Sequence, residues 1–256
     1  MKLVVIGEKC IDEFVYGNCT RLNPEAPTPV FIETRRVSNQ GMAGNVAENL
    51  STMDEEIEIH RIHQQNPITK TRYVDETSNY ILLRVDSEKG VDRIEIDDQM
   101  IEQIKSADLV VVSDYNKGFL HPEDLRLVSD LSKASVIDTK KPIRFDWSEH
   151  FDFIKMNNKE WESPLHDHHA KMVMEPKTII TQGKRGALLD GKLYSGEEVE
   201  VMDVAGAGDS FLAGFSYWYA ATGDIEKSIE SGNKIAAYAV KHRGVVNDLK
   251  KYFYES

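Results

Sequence analysis

The chain has 256 residues and a formal net charge of −12 at pH 7, and 41% of its residues are hydrophobic. This length predicts one large domain, or one domain with an appendage, that buries a sizeable core. The acidic balance argues against a broad surface for nucleic acid or anionic membranes, but not against a local basic pocket for a phosphorylated ligand.

The number of cysteines and the lengths of the apolar runs indicate in which cellular compartment the protein is expected. Cys10 and Cys19 are too few for a disulfide framework, and no Cys-x-x-Cys pair indicates a metal site. The apolar run at the N-terminus is too short for a signal peptide, and no run has the length of a membrane span. We therefore expect a cytoplasmic protein that binds neither membranes nor nucleic acid.

Short apolar runs alternate with helical patterns along the chain. The apolar runs predict strands at residues 3–6, 108–114, 135–138, 151–155 and 177–181. Helical spacing predicts helices at residues 43–53, 98–105, 122–131, 210–221 and 225–241. This alternation indicates an α/β fold with a mostly parallel central sheet covered by helices on both faces.

Two segments do not fit that sheet. Residues 13–37 contain three prolines and short alternating strands, and residues 71–95 include a second alternating pattern. We expect them to form a small β-sheet inserted on one side of a single domain, residues 1–256, where it acts as a lid.

The segment Asp203-Val-Ala-Gly-Ala-Gly-Asp209 is followed at once by an apolar helical run. Glycines let backbone N–H groups approach an anion, and a helix N-terminus adds unpaired donors and a favourable dipole. Asp209 would repel a phosphate, so we expect it to accept a proton from an attacking hydroxyl. An ordinary turn with an acidic helix start is the alternative.

Polar residues follow four of the predicted strands. They are Asp114, Asp138, Asn157 and Thr181. Because ligands of open α/β sheets bind at the carboxyl ends of the strands, one cleft is expected to gather these residues. A cluster of three histidines at positions 166, 168 and 169 has no nearby cysteine, and we interpret it as solvated rather than metal-binding.

Six segments, in order, carry a family resemblance. They are residues 21–30, 41–50, 113–118, 157–160, 181–186 and 203–209. With them the chain resembles the ribokinase-like (PfkB-type) carbohydrate kinases over nearly its whole length, and in particular the kinase domain of heptose-7-phosphate kinases. The resemblance implies a ribokinase-like three-layer sandwich with a small β lid, and family members often pair as homodimers through that lid.

The resemblance also implies the catalytic groups. Asp209 would be the general base, and the backbone of Gly206, Ala207 and Gly208 would form an anion hole for the transferred phosphoryl. Mg²⁺ would be organised, mainly through water, by the side chains of Asn157 and Glu160. The alternative for this last pair is an exposed acidic loop.

Further residues are assigned to the two substrates in the same way. The resemblance implies that the ATP site is lined by Thr181, Gly183, Gly186 and Asn233. It implies that the sugar site includes Asp12, Gly41 and Asn45, although Asn45 could instead cap the following helix. Cations for a phosphate already on the acceptor would be Arg72, Arg84 and Lys117, each of which could equally be a solvated surface charge.

The function implied is an ATP-dependent sugar kinase, most specifically one acting on the C1 hydroxyl of a heptose 7-phosphate. Alternatives are another acceptor (fructose, ribose, a phosphosugar or a nucleoside) and a non-catalytic sensor on the same fold. The chain departs from the family pattern at Glu8, where aspartate is usual, and at Met42, where glycine is usual. It is also short, with material missing between residues 53 and 67 and between residues 161 and 177.

Overall fold

The computed structural model describes residues 1–87, 90–242 and 249. In this part of the chain the strands are β1 (Lys2–Gly7), β2 (Lys9–Leu22), β3 (Pro29–Met42), β4 (Glu58–Ile62), β5 (Ile68–Asp75), β6 (Ile81–Ser87), β7 (Leu109–Asp114), β8 (Ser135–Thr139), β9 (Phe153–Asn157), β10 (Thr178–Thr181), β11 (Gly186–Leu189) and β12 (Lys192–Ser195). The helices are α1 (Ala43–Met53), α2 (Asp98–Ser106), α3 (Pro122–Leu131), α4 (Phe145–Ser148), α5 (Asn158–Trp161), α6 (His168–Met174), α7 (Ala207–Thr222) and α8 (Ile225–Ala239).

The central sheet has eight strands in the order β12-β11-β10-β9-β8-β7-β1-β4. The pairs from β4 to β10 are parallel. Strand β11 pairs antiparallel with both β10 and β12, so that among the described strands of this sheet it alone runs in the opposite direction. Strands β1 and β7 are apolar on both faces because helices cover both sides of the sheet. The predicted α/β class with a mostly parallel sheet is confirmed.

Alternate residues of β1 show how the two helical layers are attached. Leu3 and Val5 pack in a core with α1, α7 and α8, whereas Val4 and Ile6 pack with α2, α3 and α6 on the opposite face. Three layers result, and the carboxyl ends of the parallel strands share one edge.

A second sheet of four strands, in the order β3-β2-β5-β6, stands apart from the first. Two of its strands extend beyond the predicted lid segment at residues 13–37. β2 starts two residues after the end of β1, and β3 continues directly into α1. Pro24 and Pro27 lie in the turn between β2 and β3, and Pro29 is the first residue of β3. The prolines therefore end these two long strands without interrupting them. Residues 90–97 form no strand.

Three strands were not predicted. β4 lies at the edge of the central sheet, and its mixed sequence Glu-Ile-His-Arg-Ile reflects partial exposure. The hairpin of β11 and β12 consists of four-residue strands, which are too short for a periodic signal. Within the described residues, none of the helices combines the length and the apolar character needed to cross a membrane.

Candidate active site

Asp209 lies in the first turn of α7 and is only 4% exposed. Gly206 occupies the N-cap position with φ 75°, a left-handed conformation that glycine adopts without strain, so that helix α7 begins at Ala207. The predicted glycine turn therefore leads straight into a helix of 16 residues, and the helix starts three residues earlier than predicted.

Two neutral donors hold the Asp209 carboxylate. The amide of Asn45 donates to Oδ2 at 3.0 Å, and the hydroxyl of Tyr115 donates to Oδ1 at 2.9 Å. Asn49 donates at 3.3 Å to the side-chain oxygen of Asn45, which directs the Asn45 amide nitrogen towards Asp209. The alternative that Asn45 caps α1 is wrong, because Met42 occupies the cap position and Asn45 lies inside the helix.

The pKa of the Asp209 carboxyl lies well above its ordinary value. Burial raises this pKa to about 6, and the nearby charge of Asp138 acts in the same direction. Hydrogen bonds from Asn45 and Tyr115 and the charge of Lys155 lower it and offset part of the rise. Near pH 7 the group is ionised yet basic enough to accept a proton.

Lys155 and Asp138 were missed as a pair by sequence reasoning. They are register partners on β9 and β8, and their side chains form an ion pair in which the lysine is buried and the aspartate partly buried. A Cβ placed on Gly208 would lie 2.9 Å from the Lys155 ammonium, so the glycine leaves room for that ammonium beside the start of α7. The sequence feature that could have indicated Lys155 is the presence of a lysine within the otherwise apolar strand β9.

Tyr115 was also missed, and Glu8 explains its position. The buried Glu8 carboxylate accepts hydrogen bonds from the backbone N–H groups of Tyr115 at 2.8 Å and Lys117 at 2.9 Å. A third N–H, from Phe119, donates at 3.4 Å. The departure from the usual aspartate therefore shapes the loop that carries Tyr115 towards Asp209.

A largely apolar groove runs beside the start of α7. Its lining includes Thr181, Gly183, Gly186 and Asn233, together with Ala207 and Gly208. Gly186 has φ 96°, and a Cβ there would lie 2.1 Å from the Tyr194 carbonyl oxygen, so glycine is required by the hairpin itself. Asn233 donates to that same carbonyl at 2.9 Å. The four residues predicted for the nucleotide thus lie along one groove.

Asn157 and Glu160 form a reciprocal cap at the start of α5. The Asn157 side chain accepts the Glu160 N–H at 3.0 Å, and the Glu160 carboxylate accepts the Asn157 N–H at 2.9 Å. Burial raises the pKa of Glu160, and the nearby charges of Lys155 and Lys140 oppose this rise. Each side chain keeps oxygen lone pairs outside the cap, which fits an ion such as Mg²⁺ that takes few protein ligands.

The described residues contain no cluster of three or more His, Cys, Asp or Glu side chains arranged to hold a metal ion. The His166 ring bonds to the backbone of Ile143 and of Glu160.

Asp12, Gly41 and Arg72 meet on the small sheet, on the neighbouring strands β2, β3 and β5. The buried Asp12 carboxylate accepts from Arg72 and from the Cys10 thiol. A Cβ on Gly41 would lie 2.3 Å from Asp12 Oδ2, so glycine is needed for the carboxylate to lie there. Burial raises the pKa of Cys10 to about 12, with Asp12 adding to the rise, and the thiol stays protonated.

The other two cations predicted for the acceptor phosphate are Arg84 and Lys117. Arg84 lies on the exposed strand β6, where it is the register partner of Arg72 and donates to Asp86 at 2.7 and 2.8 Å. The Lys117 side chain lines a surface groove with His121 and Arg144. By contrast Lys140, which was not predicted, has its ammonium 4.1 Å from the centre of the Tyr115 ring.

A family model described as the pfkB family of carbohydrate kinases matches residues 51–251, which is more than half of the chain. The chain belongs to the PfkB carbohydrate kinases. The predicted family and enzyme class, an ATP-dependent sugar kinase, are thereby confirmed.

Curated PfkB relatives share sequence over most of this chain. The bifunctional protein HldE of Nitrobacter winogradskyi is 28% identical over 296 residues, which cover 94% of the chain and 60% of the relative. HldE of Campylobacter fetus subsp. fetus is 30% identical over 291 residues, covering 94% and 63%. The chain spans about three fifths of the length of these relatives. Because both alignments are longer than the chain, it lacks segments that the relatives contain.

Solved structures of the same fold resemble the chain as a whole. A ribokinase from Thermotoga maritima superposes with a TM-score of 0.72 at 16% identity and covers 99% of both chains. A ribokinase from Arabidopsis thaliana in complex with ribose and ATP gives a TM-score of 0.69 at 15% identity, covering 95% of this chain and 93% of that one. The predicted ribokinase-like sandwich is confirmed.

From the raised pKa of Asp209 we predict how the free energy of unfolding depends on pH. Because the folded state holds this proton more tightly than the unfolded chain, stability falls as the pH rises from about 4 to about 6 and then levels off. Asp209→Asn resembles the protonated form, so we expect it to raise the free energy of unfolding at pH 8 by on the order of 1–3 kcal/mol.

The measurement is urea unfolding of both proteins between pH 4 and pH 8. The gain in the variant should shrink towards zero near pH 4. A variant that is equally or less stable than the wild type at pH 8 would contradict the burial of an ionised Asp209.

Proposed function

We propose that this kinase transfers the γ-phosphoryl of Mg·ATP to the C1 hydroxyl of a heptose 7-phosphate. The observation that carries the transfer chemistry is the buried Asp209 carboxylate, with a raised pKa, at the start of α7. The heptose acceptor is supported by the relatives named HldE and by the resembling segments at residues 21–30 and 113–118.

In the proposed reaction, Asp209 accepts the proton of the acceptor hydroxyl as its oxygen bonds to the γ-phosphorus. The N–H groups of Ala207 and Gly208, with the turn at Gly206, stabilise the charge on the transferred phosphoryl. Neutral donors from Asn45 and Tyr115 orient the carboxylate but leave lone pairs on both oxygens for the substrate.

The nucleotide would lie in the groove lined by Thr181, Gly183, Gly186 and Asn233. Asn157 and Glu160 would hold Mg²⁺ through its waters, and the ion would neutralise charge on the ATP phosphates. This pair lies at the carboxyl end of β9, next to the end of β10, where Thr181 begins the groove.

On the acceptor side, Asp12 and Gly41 would bind sugar hydroxyls. Arg72, already beside Asp12, is one proposed cation for the acceptor phosphate. Lys70 and Lys140 are two further proposed cations, because both ammonium groups lie near the Tyr115 ring, at 5.8 and 4.1 Å from its centre. Lys117, on the same loop as Tyr115, is the fourth proposed cation.

The test is ADP release from Mg·ATP with a panel of acceptors. The panel contains D-glycero-D-manno-heptose 7-phosphate, fructose 6-phosphate, fructose, ribose and a nucleoside. We expect strong turnover with the heptose phosphate and a loss of about 10²–10⁴-fold in Asp209→Asn, with ATP affinity kept within a few-fold. Asp224→Asn, a matched change at the cap of α8, should leave turnover unchanged.

The outcomes of this assay test the proposed role of Asp209 and the proposed sugar acceptor separately. Turnover with another acceptor alone would overturn the heptose assignment and keep the role of Asp209. Near-normal turnover by Asp209→Asn would overturn the proposed base. ATP binding without turnover on any acceptor would favour the sensor alternative.

We also propose that two copies pair through the small sheet. Its edge strand β6 exposes Ile81, Leu83 and Val85 at alternate positions, so this edge presents an apolar surface that a second copy could cover. Sedimentation should show a dimer that Leu83→Lys dissociates. A monomeric wild type at micromolar concentration would contradict this proposal.

A further inference from the structure

The ammonium of Lys155 is buried beside the proposed phosphoryl-transfer point. Lys155 is 4% exposed and lies on β9, and its Nζ donates to Asp138 Oδ2 on the neighbouring strand β8. The ion pair with Asp138 fixes this ammonium between β8 and β9.

Its position relative to helix α7 is specific. The ammonium occupies the space next to Gly208 in which a side chain would begin, with only 2.9 Å between Nζ and the place of a Cβ. The backbone N–H groups of that helix turn, its dipole and this ammonium together present positive charge at one point. The same ammonium interacts electrostatically with both Glu160 and Asp209.

A purely structural role explains these contacts less well. A buried ion pair costs desolvation, and two apolar side chains of similar volume would hold β8 and β9 together as well or better. Within the described residues, Asp138 is the hydrogen-bond acceptor found for the ammonium, which has three N–H donors. N–H groups of the Lys155 ammonium are thus left to donate to a ligand that binds beside Gly208 and Asp209.

We propose that Lys155 is a further catalytic residue, whose ammonium contacts the γ-phosphoryl during transfer, and that Asp138 is its positioning residue. This inference rests on the proposed kinase chemistry but not on the identity of the sugar. The acceptor oxygen forms a bond to the γ-phosphorus, and its proton goes to Asp209. The bond to the β,γ-bridging oxygen breaks, and its electron pair leaves with ADP. Lys155 gives up no proton and stabilises the negative charge on the moving group.

The test compares Lys155→Met with Lys155→Met/Asp138→Asn, because the double variant leaves no unpaired buried carboxylate if the single variant fails to fold. Lys177→Met is the matched control, since it removes a half-buried ammonium that donates to the carbonyls of Glu149 and Phe151, outside the proposed site. Each variant is assayed with Mg·ATP and the best acceptor of the wild type, and ATP affinity is measured separately.

We expect the Lys155 variants to lose about 10²–10³-fold in kcat, the range found when one donor to a transition-state charge is removed. ATP affinity should change less than about threefold, whereas the affinity for ADP with aluminium fluoride, which resembles the transferring phosphoryl, should fall as far as kcat does. Lys155→Arg should retain part of the rate, and Lys177→Met should retain all of it.

Two results would overturn the role. One is a kcat within about threefold of the wild type in the folded double variant. The other is a loss of ATP affinity as large as the loss of kcat, which would make Lys155 a ground-state contact or a structural residue. If the wild type uses a sugar other than the heptose phosphate, only the substrate proposal fails, and the Lys155 comparison is made on that sugar.

Discussion

The cost of burying the Asp209 carboxylate is the constraint on which the rest of the site depends. A buried charge without partners is costly, and among the described residues this cost is met by two neutral donors rather than by a direct ion pair. A direct salt bridge would stabilise the ionised form further and make it a weaker base. Asn45 and Tyr115 orient Asp209, while burial keeps its pKa at about 6.

That arrangement ties distant parts of the chain together. Asn45 comes from α1, Tyr115 from the loop after β7, and Lys155 from β9, so that three elements meet at the first turn of α7. The loop that carries Tyr115 is in turn fixed by Glu8, which follows β1. The parallel sheet matters here because it brings the carboxyl ends of its strands to one edge.

The two departures from the family pattern, Glu8 and Met42, both contact the loop or the side chain of Tyr115. Glu8 holds the loop of Tyr115, and Met42 packs in a small core with Cys10, Ile68 and Tyr115. Met42 has φ 56°, which costs a side-chain-bearing residue on the order of 1–3 kcal/mol. The buried contacts of its side chain offset this strain.

Most of the fold could be predicted from the sequence, because the central strands are apolar runs and the helices have clear periodicity. The helices at residues 43–53 and 122–131 have the predicted bounds. Strand β4 and the hairpin of β11 and β12 could not be predicted, since an edge strand and four-residue strands carry little pattern.

The glycine turn and the residues after the strands could be located from sequence, but their partners could not. The Asn45, Tyr115 and Lys155 contacts depend on side chains that are far apart in the chain and meet only after folding. The role of Gly208 is an example: its spacing indicated a phosphate, whereas the structure shows that it also makes room for an ammonium.

The most direct test is a carboxyl-carbon NMR titration of Asp209 in the folded protein, with the resonance assigned by comparison with Asp209→Asn. We predict a midpoint near pH 6, because burial outweighs the two donated hydrogen bonds. A midpoint at or below pH 4 would show a carboxylate that is solvated or paired with a cation. That result would contradict the account of Asp209 as a buried base.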